Sequence, residues 1–147
     1  MLEEEVRKGT GGYAECIEIG NGEVSSIFSP MSLQVDEACK KIQEHPVFGN
    51  REFNIVGLSQ GALIGRYIVE SCDTKEHVRN LITVGGPNNG FDFEHNCDHS
   101  SSETNIRCEI QERITAFPLL SPYSKVIQST IGPSNYFKDS SNMEEYV

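Results

Sequence analysis

The segment that most constrains the fold is Gly57–Gly61 (Gly-Leu-Ser-Gln-Gly), which lies between two apolar runs of different periodicity. The run before it, Phe53–Leu58, is short and apolar and predicts a buried strand, whereas the apolar residues after Gln60 recur at helical spacing to about Cys72. A Gly-x-Ser-x-Gly motif between a strand and a helix predicts a nucleophile elbow, a sharp turn that exposes the serine oxygen.

The chemistry of this turn depends on Ser59 and Gln60. A serine oxygen at the start of a helix faces the unpaired N–H groups and the positive dipole end of that helix. The Gln60 N–H is then placed to bond the oxyanion that forms when the serine attacks an acyl group. Gly57 and Gly61 permit the sharp turn and the close packing that it requires. The motif therefore predicts acyl transfer with Ser59 as the nucleophile.

Strands and helices alternate along most of the chain. Strands are predicted over Ala14–Ile19, Phe53–Leu58 and Val78–Val84, and helices over Ser32–His45, Gln60 to about Cys72, and Pro122–Thr130 with Ser121 as N-cap. This alternation predicts a parallel sheet with right-handed crossovers and with helices on both faces. The fold class is therefore α/β.

The sequence changes character after a glycine-rich loop, Gly85–Gly90. The stretch Phe91–Asn105 is polar, and a predicted amphipathic helix follows it, with apolar positions Ile106, Ile110, Ile114 and Phe117. We interpret the chain as one domain, residues 1–147, with the sheet and elbow in about 13–90 and a helical, cap-like region in about 91–147.

Composition limits the partners and the compartment. The net charge of −10, from 22 acidic and 12 basic residues, disfavours nucleic acid and anionic membrane surfaces as partners. The chain has no apolar run long enough to span a bilayer, so we expect no stable membrane anchor. Five cysteines are typical of an oxidising compartment, whereas the acidic start Met1–Glu5 is not a signal peptide. We therefore expect the chain to begin inside a longer protein.

Three motifs in this order resemble palmitoyl-protein thioesterases, and the resemblance extends from about Val24 to Tyr146. They are Asn54–Gly61, Asn80–Gly86 with Asn89-Gly90 after it, and Pro122–Gln128. The resemblance implies part of an α/β-hydrolase fold with a nucleophile elbow and the start of a helical cap. It implies hydrolysis of long-chain (palmitoyl) thioesters on protein cysteines through an acyl-enzyme intermediate, without a cofactor, in a lysosome or vacuole or outside the cell. Its substrates would be S-acylated proteins.

The same resemblance assigns roles to single residues. Ser59 is the nucleophile, and the Gln60 backbone N–H is half of the oxyanion hole. Two disulfides are implied, Cys39–Cys72 and Cys97–Cys108, which leaves Cys16 over. Four apolar residues are candidates for the wall of an acyl tunnel, with the buried core as the alternative for each: Ile110, Ile114, Phe117 and Leu120.

No residue of this chain is a convincing base for the serine. In α/β-hydrolases the triad acid and then the histidine follow the nucleophile on later strands, so we expect both outside this chain. We expect His45 and His77 to be surface histidines, and Asp92 and Asp98 to be ordinary loop carboxylates.

A zinc site is the other chemistry that the sequence suggests. The candidate ligands are His95, Cys97, His99 and Cys108, but their spacing is unusual for zinc and two cysteines eleven apart suit a disulfide. We therefore expect no metal.

Three interpretations of function remain from the sequence. The first is the acyl-thioester hydrolase. The second is a lipase or carboxylesterase, since the elbow alone does not separate oxygen esters from thioesters. The third is a non-catalytic remnant that binds acyl chains or a partner. For Arg66, one turn into the helix after the elbow, we expect a structural ion pair.

Overall fold

The structure is a computed structural model that describes residues 2–92 and 121–138. Its helices are α1 (Leu2–Thr10), α2 (Gly22–Phe28), α3 (Met31–Glu44), α4 (Gln60–Ser71) and α5 (Lys125–Gln128), and its strands are β1 (Phe53–Leu58) and β2 (Val78–Val84). Single turns of 3-10 helix cover Phe48–Asn50, Lys75–His77 and Gly132–Asn135. The described part of the chain is therefore α/β.

A parallel pair of strands forms the centre, and α4 is the crossover between them. The pairing runs in register from Asn54 opposite Asn80 to Leu58 opposite Val84. Both strands have the bounds expected from the sequence. The helices α3 and α4 each lie within one residue of the expected bounds, because an apolar stripe at helical spacing is a strong local signal.

The core lies on one face of this sheet, where α3 and α4 pack together. Its buried members are Val35, Ala38, Ile42, Phe53, Ile64, Ile68 and Cys72. The helix α4 lies directly on the strands, because a Cβ at Gly65 would be only 2.8 Å from Leu81 Cδ1. Burial of a core side chain such as Val35, Ile42 or Ile64 stabilises the folded state by about 1.5–3 kcal/mol, because its apolar surface leaves water.

The expectation of helices on both faces is not met within the described residues. Leu58, Ile82 and Val84 point to the second face and remain 57%, 51% and 49% exposed. The reason is that α3 and α4 turn their apolar stripes toward each other on the first face.

The strand expected over Ala14–Ile19 is wrong, since this segment has neither helix nor strand. A strand needs a neighbouring ladder for its N–H and C=O groups, and β1 and β2 pair only with each other among the described residues. The segment is held against α3 by side chains instead. Lys41 Nζ donates to the Glu18 carbonyl at 2.5 Å, and the Gly20 N–H donates to Glu37 Oε1 at 2.9 Å.

The helix expected over Pro122–Thr130 is much shorter in the structure. Ser124, not Ser121, is the N-cap of α5, and its side chain accepts a hydrogen bond from the Ile127 N–H. The Ser121 carbonyl accepts from the Ser124 N–H at 2.9 Å, which makes residues 121–124 a turn. Ser121 and Ser124 at the start of this helix compete for its backbone groups, and sequence spacing does not decide which of the two caps it.

Two helices, α1 and α2, were not expected from the sequence. The ion pairs Glu3–Arg7 and Glu4–Lys8 support α1 at i,i+4 spacing, and none of its residues is buried. The helix α2 has only seven residues, which is too short for a periodic apolar pattern to stand out.

A disulfide joins Cys39 of α3 to Cys72 at the end of α4, with 5.5 Å between the Cα atoms. This is the pairing that the resemblance implied. Cys16 is free and exposed, and Cys97 and Cys108 lie outside the described residues. None of the described helices has the length and apolar composition needed to cross a bilayer.

The disulfide gives the first prediction. Replacing both Cys39 and Cys72 by alanine should lower the free energy of unfolding by about 2–4 kcal/mol, because the bridge spans a sequence separation of 33 residues. Denaturant titration measures the change, and non-reducing peptide mapping should recover the two cysteine peptides as one linked species. The control Cys16→Ala should change neither result. Free thiols at both positions, or a bridge to Cys16, would contradict the pairing.

Candidate functional site

Ser59 lies in the turn between β1 and α4 and is exposed there. Its backbone angles are φ 52° and ψ −122°, and it is the one non-glycine residue with positive φ in the described ranges. Such a conformation costs about 1–3 kcal/mol and persists only when its surroundings hold it. One such contact is the hydrogen bond from the Ser59 N–H to the Val84 carbonyl at 2.9 Å.

Gly57 is required by the close approach of α4 to the end of β1. A Cβ at Gly57 would lie 2.7 Å from Ala62 Cα and 2.8 Å from Ala62 N. After β2, Gly86 closes the same junction, since a Cβ there would clash with the Ala62 side chain. A Cβ at Gly61 would meet no described atom within 4 Å. The two glycines of the motif therefore have different roles, and only Gly57 is sterically required by the described residues.

Gln60 is the first residue of α4, so its backbone N–H belongs to the first-turn donors without an intrahelical acceptor. Its side chain points away to a polar cluster. Nε2 donates to Gln34 Oε1 at 2.7 Å and to the Ser26 carbonyl at 3.1 Å, and Oε1 accepts from the Tyr136 hydroxyl at 2.7 Å. Burial raises the pKa of Tyr136 well above its usual value, so this hydroxyl keeps its proton at neutral pH.

A shallow groove of about 240 Å³ borders Gln60 and Gly61. Ile17, Ile19 and Ile64 contribute to its lining. The polar residues Glu18, Ser26, Gln34 and Gln60 also line it, so the groove has both apolar and polar walls.

The described histidines lie at the opposite end of the sheet from Ser59. His45 contacts Phe48, which packs on Phe53 at the start of β1. With a rise of about 3.3 Å per residue, the start of β1 is roughly 20 Å from Ser59. His77 directly precedes β2 and so lies at this same end of a parallel sheet. Neither histidine is therefore in reach of the serine.

Both histidines, expected at the surface, are half-buried there. The His45 side chain is 12% exposed, because its ring stacks on Phe48 at 4.4 Å between centroids. Its Nε2 is 3.1 Å from Glu15 Oε2, and its Nδ1 accepts the Val47 N–H at 3.1 Å. His77 Nδ1 is buried and has no partner in the described part of the chain.

His45 and its partner Glu15 border a depression of about 400 Å³. The Tyr13 hydroxyl, donating to Glu15, and then His45 hold the pKa of the Glu15 carboxyl below its usual value. This depression is larger than the groove beside Gln60, but it lies at the far end of β1. We assign it no part in the chemistry of Ser59 because of this distance, although the exposed thiol of Cys16 and the His45 ring both line it.

Of the remaining residues singled out from the sequence, Arg66 and Asp92 are among those that the structure describes. Arg66 forms the expected ion pair, with Glu70 at 2.8 Å on an exposed helix face, which is worth little stability. Asp92 is exposed. The others lie outside the described residues: His95, Cys97, Asp98, His99, Cys108, Ile110, Ile114, Phe117 and Leu120. In residues 2–92 and 121–138, no three His, Cys, Asp or Glu side chains are grouped to hold a metal ion.

The sequence analysis missed Gln34 and Tyr136, the two side chains that hold Gln60. The sequence pattern of α3 did contain a signal for Gln34. It is three residues after Met31 and four before Ala38, so it lies on the apolar stripe of α3, where a polar side chain needs a partner. No local pattern relates Tyr136 to a residue 76 positions earlier.

Comparison with known proteins identifies the family of this chain. The sequence model of the family described as "Palmitoyl protein thioesterase" matches residues 1–147. The chain therefore belongs to the palmitoyl protein thioesterase family.

Three curated relatives show the extent of the match. "Palmitoyl-protein thioesterase 3" of Dictyostelium discoideum is 32% identical over 92% of this chain and 42% of its own length. "Palmitoyl-protein thioesterase 1" of Caenorhabditis elegans is 27% identical over 99% of this chain and 46% of its own length. The "Palmitoyl-protein thioesterase-dolichyl pyrophosphate phosphatase fusion 1" of Schizosaccharomyces pombe is also 27% identical, over 23% of its length. The chain thus spans less than half the length of these relatives.

The glycine geometry gives the second prediction. Gly57→Ala should lower the free energy of unfolding by about 1–3 kcal/mol, because its Cβ would overlap the backbone of Ala62. Gly61→Ala is the matched control and should have almost no effect, since the space around it is open. Thermal unfolding of the two variants measures the difference. Equal destabilisation by both substitutions would contradict the junction described here.

Proposed function

We propose that this protein hydrolyses long-chain fatty acyl thioesters on protein cysteines, with Ser59 as the nucleophile of an α/β-hydrolase elbow. The observation that carries the proposal is the backbone of Ser59, held at positive φ between β1 and α4 in a member of this family. An exposed serine in a strained strand-to-helix turn is what a nucleophile elbow requires. The names of the relatives, both palmitoyl-protein thioesterases, support the thioester as the substrate class.

The mechanism follows from the position of Ser59. Its Oγ attacks the thioester carbonyl while a base takes its proton, and the carbonyl π electrons move to the oxygen. The Gln60 N–H donates to this oxyanion, together with a second donor. Collapse of the intermediate breaks the C–S bond and releases the cysteine thiol, which takes the proton from the base. Water then hydrolyses the acyl-enzyme by the same steps and releases the fatty acid.

The base that this mechanism needs is not supplied by the described histidines. His45 and His77 lie at the amino ends of the strands, whereas Ser59 lies at a carboxyl end. We propose that the base and its acid follow later in the chain order of α/β-hydrolases.

We also propose roles for the residues beyond Gly90. Residues 91–147 would form a cap over Ser59 in which Cys97 pairs with Cys108. Ile110, Ile114, Phe117 and Leu120 would line the acyl chain there, since a long acyl group needs an apolar wall close to the nucleophile. The Cys39–Cys72 bridge supports an oxidising compartment, a lysosome or vacuole or the cell exterior, as the place of action.

Replacing the proposed nucleophile is the third prediction. In the product of the complete gene, Ser59→Ala should lower palmitoyl-thioester hydrolysis by a factor on the order of 10³ or more, because no other group forms the acyl-enzyme. The control Ser71→Ala removes an exposed serine at the end of the same helix and should leave the rate unchanged. Released palmitate and mass spectrometry of fluorophosphonate-treated protein are the two measurements.

The same assay separates the other interpretations. Ser59-dependent hydrolysis of a matched oxygen ester in clear preference to the thioester would assign the protein to the lipases or carboxylesterases. Absence of turnover together with binding of palmitate would favour the non-catalytic remnant. Labelling at another residue, with Ser59 unmodified, would reject the nucleophile itself.

The fourth prediction concerns the 147-residue chain alone. It should hydrolyse palmitoyl thioesters at a rate lower by several powers of ten than an enzyme with a base beside the serine, because His45 and His77 are at the wrong end of the sheet. Parallel assays of the isolated chain and the complete gene product test this. Rapid Ser59-dependent turnover by the isolated chain would mean that His95 or His99 supplies the base.

A further inference from the structure

A chain of hydrogen bonds links the segment after α5 to the first residue of α4. The Tyr136 hydroxyl donates to Gln60 Oε1 at 2.7 Å, and Gln60 Nε2 donates to Gln34 Oε1 at 2.7 Å. Gln34 Nε2 donates in turn to the Ser29 carbonyl at 2.7 Å. The Ser26 carbonyl accepts from both glutamine Nε2 atoms, at 3.1 Å from Gln60 and 3.3 Å from Gln34.

Every polar atom of the two amides has a hydrogen-bond partner in this arrangement. Each Nε2 makes two hydrogen bonds and each Oε1 accepts one. Gln34 is only 3% exposed, so rotating its amide would leave buried donors and acceptors without partners. The network therefore has one satisfied state and holds the Gln60 side chain in one orientation.

Close backbone packing keeps the tyrosine in place. A Cβ at Gly132 would lie 2.7 Å from the Ser26 carbonyl oxygen and 2.8 Å from the Ser29 carbonyl oxygen and Gln34 Nε2. The 3-10 turn Gly132–Asn135 thus sits against the same acceptors that the glutamines use. Tyr136, directly after this turn, reaches Gln60 from a fixed backbone.

We propose that Tyr136 and Gln34 are positioning residues, which hold the Gln60 side chain and thereby direct the Gln60 backbone N–H toward the carbonyl oxygen of the substrate. The inference rests on the proposed function, because it assigns that N–H to the oxyanion. An oxyanion donor is effective only when it is oriented before the reaction. Gln60 adjoins the strained Ser59, and its N–H has no helical partner to orient it. The hydrogen bonds of the Gln60 side chain to Ser26, Gln34 and Tyr136 supply this orientation.

The kinetic test uses Tyr136→Phe in the complete gene product. Loss of the hydroxyl should lower kcat for palmitoyl-thioester hydrolysis about 10-fold, with KM changed by less than about 2-fold, since the interaction acts on the transition state. The matched control is Tyr123→Phe, a half-buried tyrosine that stacks on Phe137 at 6.0 Å and does not bond Gln60 in the described structure. This control should retain the full kcat.

A double-mutant comparison separates positioning from general stability. In a Gln60→Met background the side chain no longer accepts from Tyr136, so Tyr136→Phe should cause no further loss of kcat. The full loss in that background would overturn the proposal, because the tyrosine would then act without Gln60. Equal kcat for Tyr136→Phe and Tyr123→Phe in the unsubstituted background would overturn it as well.

A second readout does not depend on turnover. In protein labelled with ¹⁵N-glutamine, Tyr136→Phe should shift the NMR signals of both the side-chain amide and the backbone N–H of Gln60, while Tyr123→Phe leaves them in place. Unchanged Gln60 signals in Tyr136→Phe would reject the coupling. If the unsubstituted protein has no Ser59-dependent turnover, the proposed function fails by itself, and the NMR comparison still decides whether Tyr136 orients the Gln60 N–H.

Discussion

The close contact of α4 with the two parallel strands is the constraint on which the rest of this structure depends. At Gly57 the strand meets the backbone of α4 at distances that no Cβ would allow, and a Cβ at Gly65 would displace the end of the Leu81 side chain. Because α4 starts directly after β1, this contact forces the chain to reverse within one residue. The positive φ of Ser59 is the consequence, and the local strain is offset by core packing elsewhere in the molecule.

The parallel direction of β1 and β2 decides which residues lie near one another. In a parallel pair both carboxyl ends lie at one edge, so Ser59 is beside the end of β2 and bonds to Val84. The groups that precede the strands, His45 and His77, are carried to the other edge. The chain therefore separates its described histidines from its candidate nucleophile by the length of a strand. Ligands of open parallel sheets also bind at the carboxyl edge, which agrees with the position of the groove beside Gln60.

Two long-range connections support the start and the end of α4. The Cys39–Cys72 bridge fixes its end to α3. At its start, the Gln60 side chain is held by Gln34 from α3 and by Tyr136 from the segment after α5. The helix that carries the elbow is thus restrained at both ends by the same neighbour, α3. In this arrangement the candidate site does not depend on the exposed second face of the sheet.

The sequence by itself determined β1, β2, α3, α4 and the glycine-flanked serine, because each rests on a periodicity or a motif within a few consecutive residues. It also indicated the family, and the cysteine pairing came through that resemblance. Ala14–Ile19 alternates like a strand yet has no partner ladder, and α5 is capped by Ser124, since such outcomes depend on contacts distant in sequence. Only the tertiary structure decided that both large helices share one face of the sheet. It alone brought Tyr136 and Gln34 to Gln60, because hydrogen bonds between distant segments leave no local pattern to read.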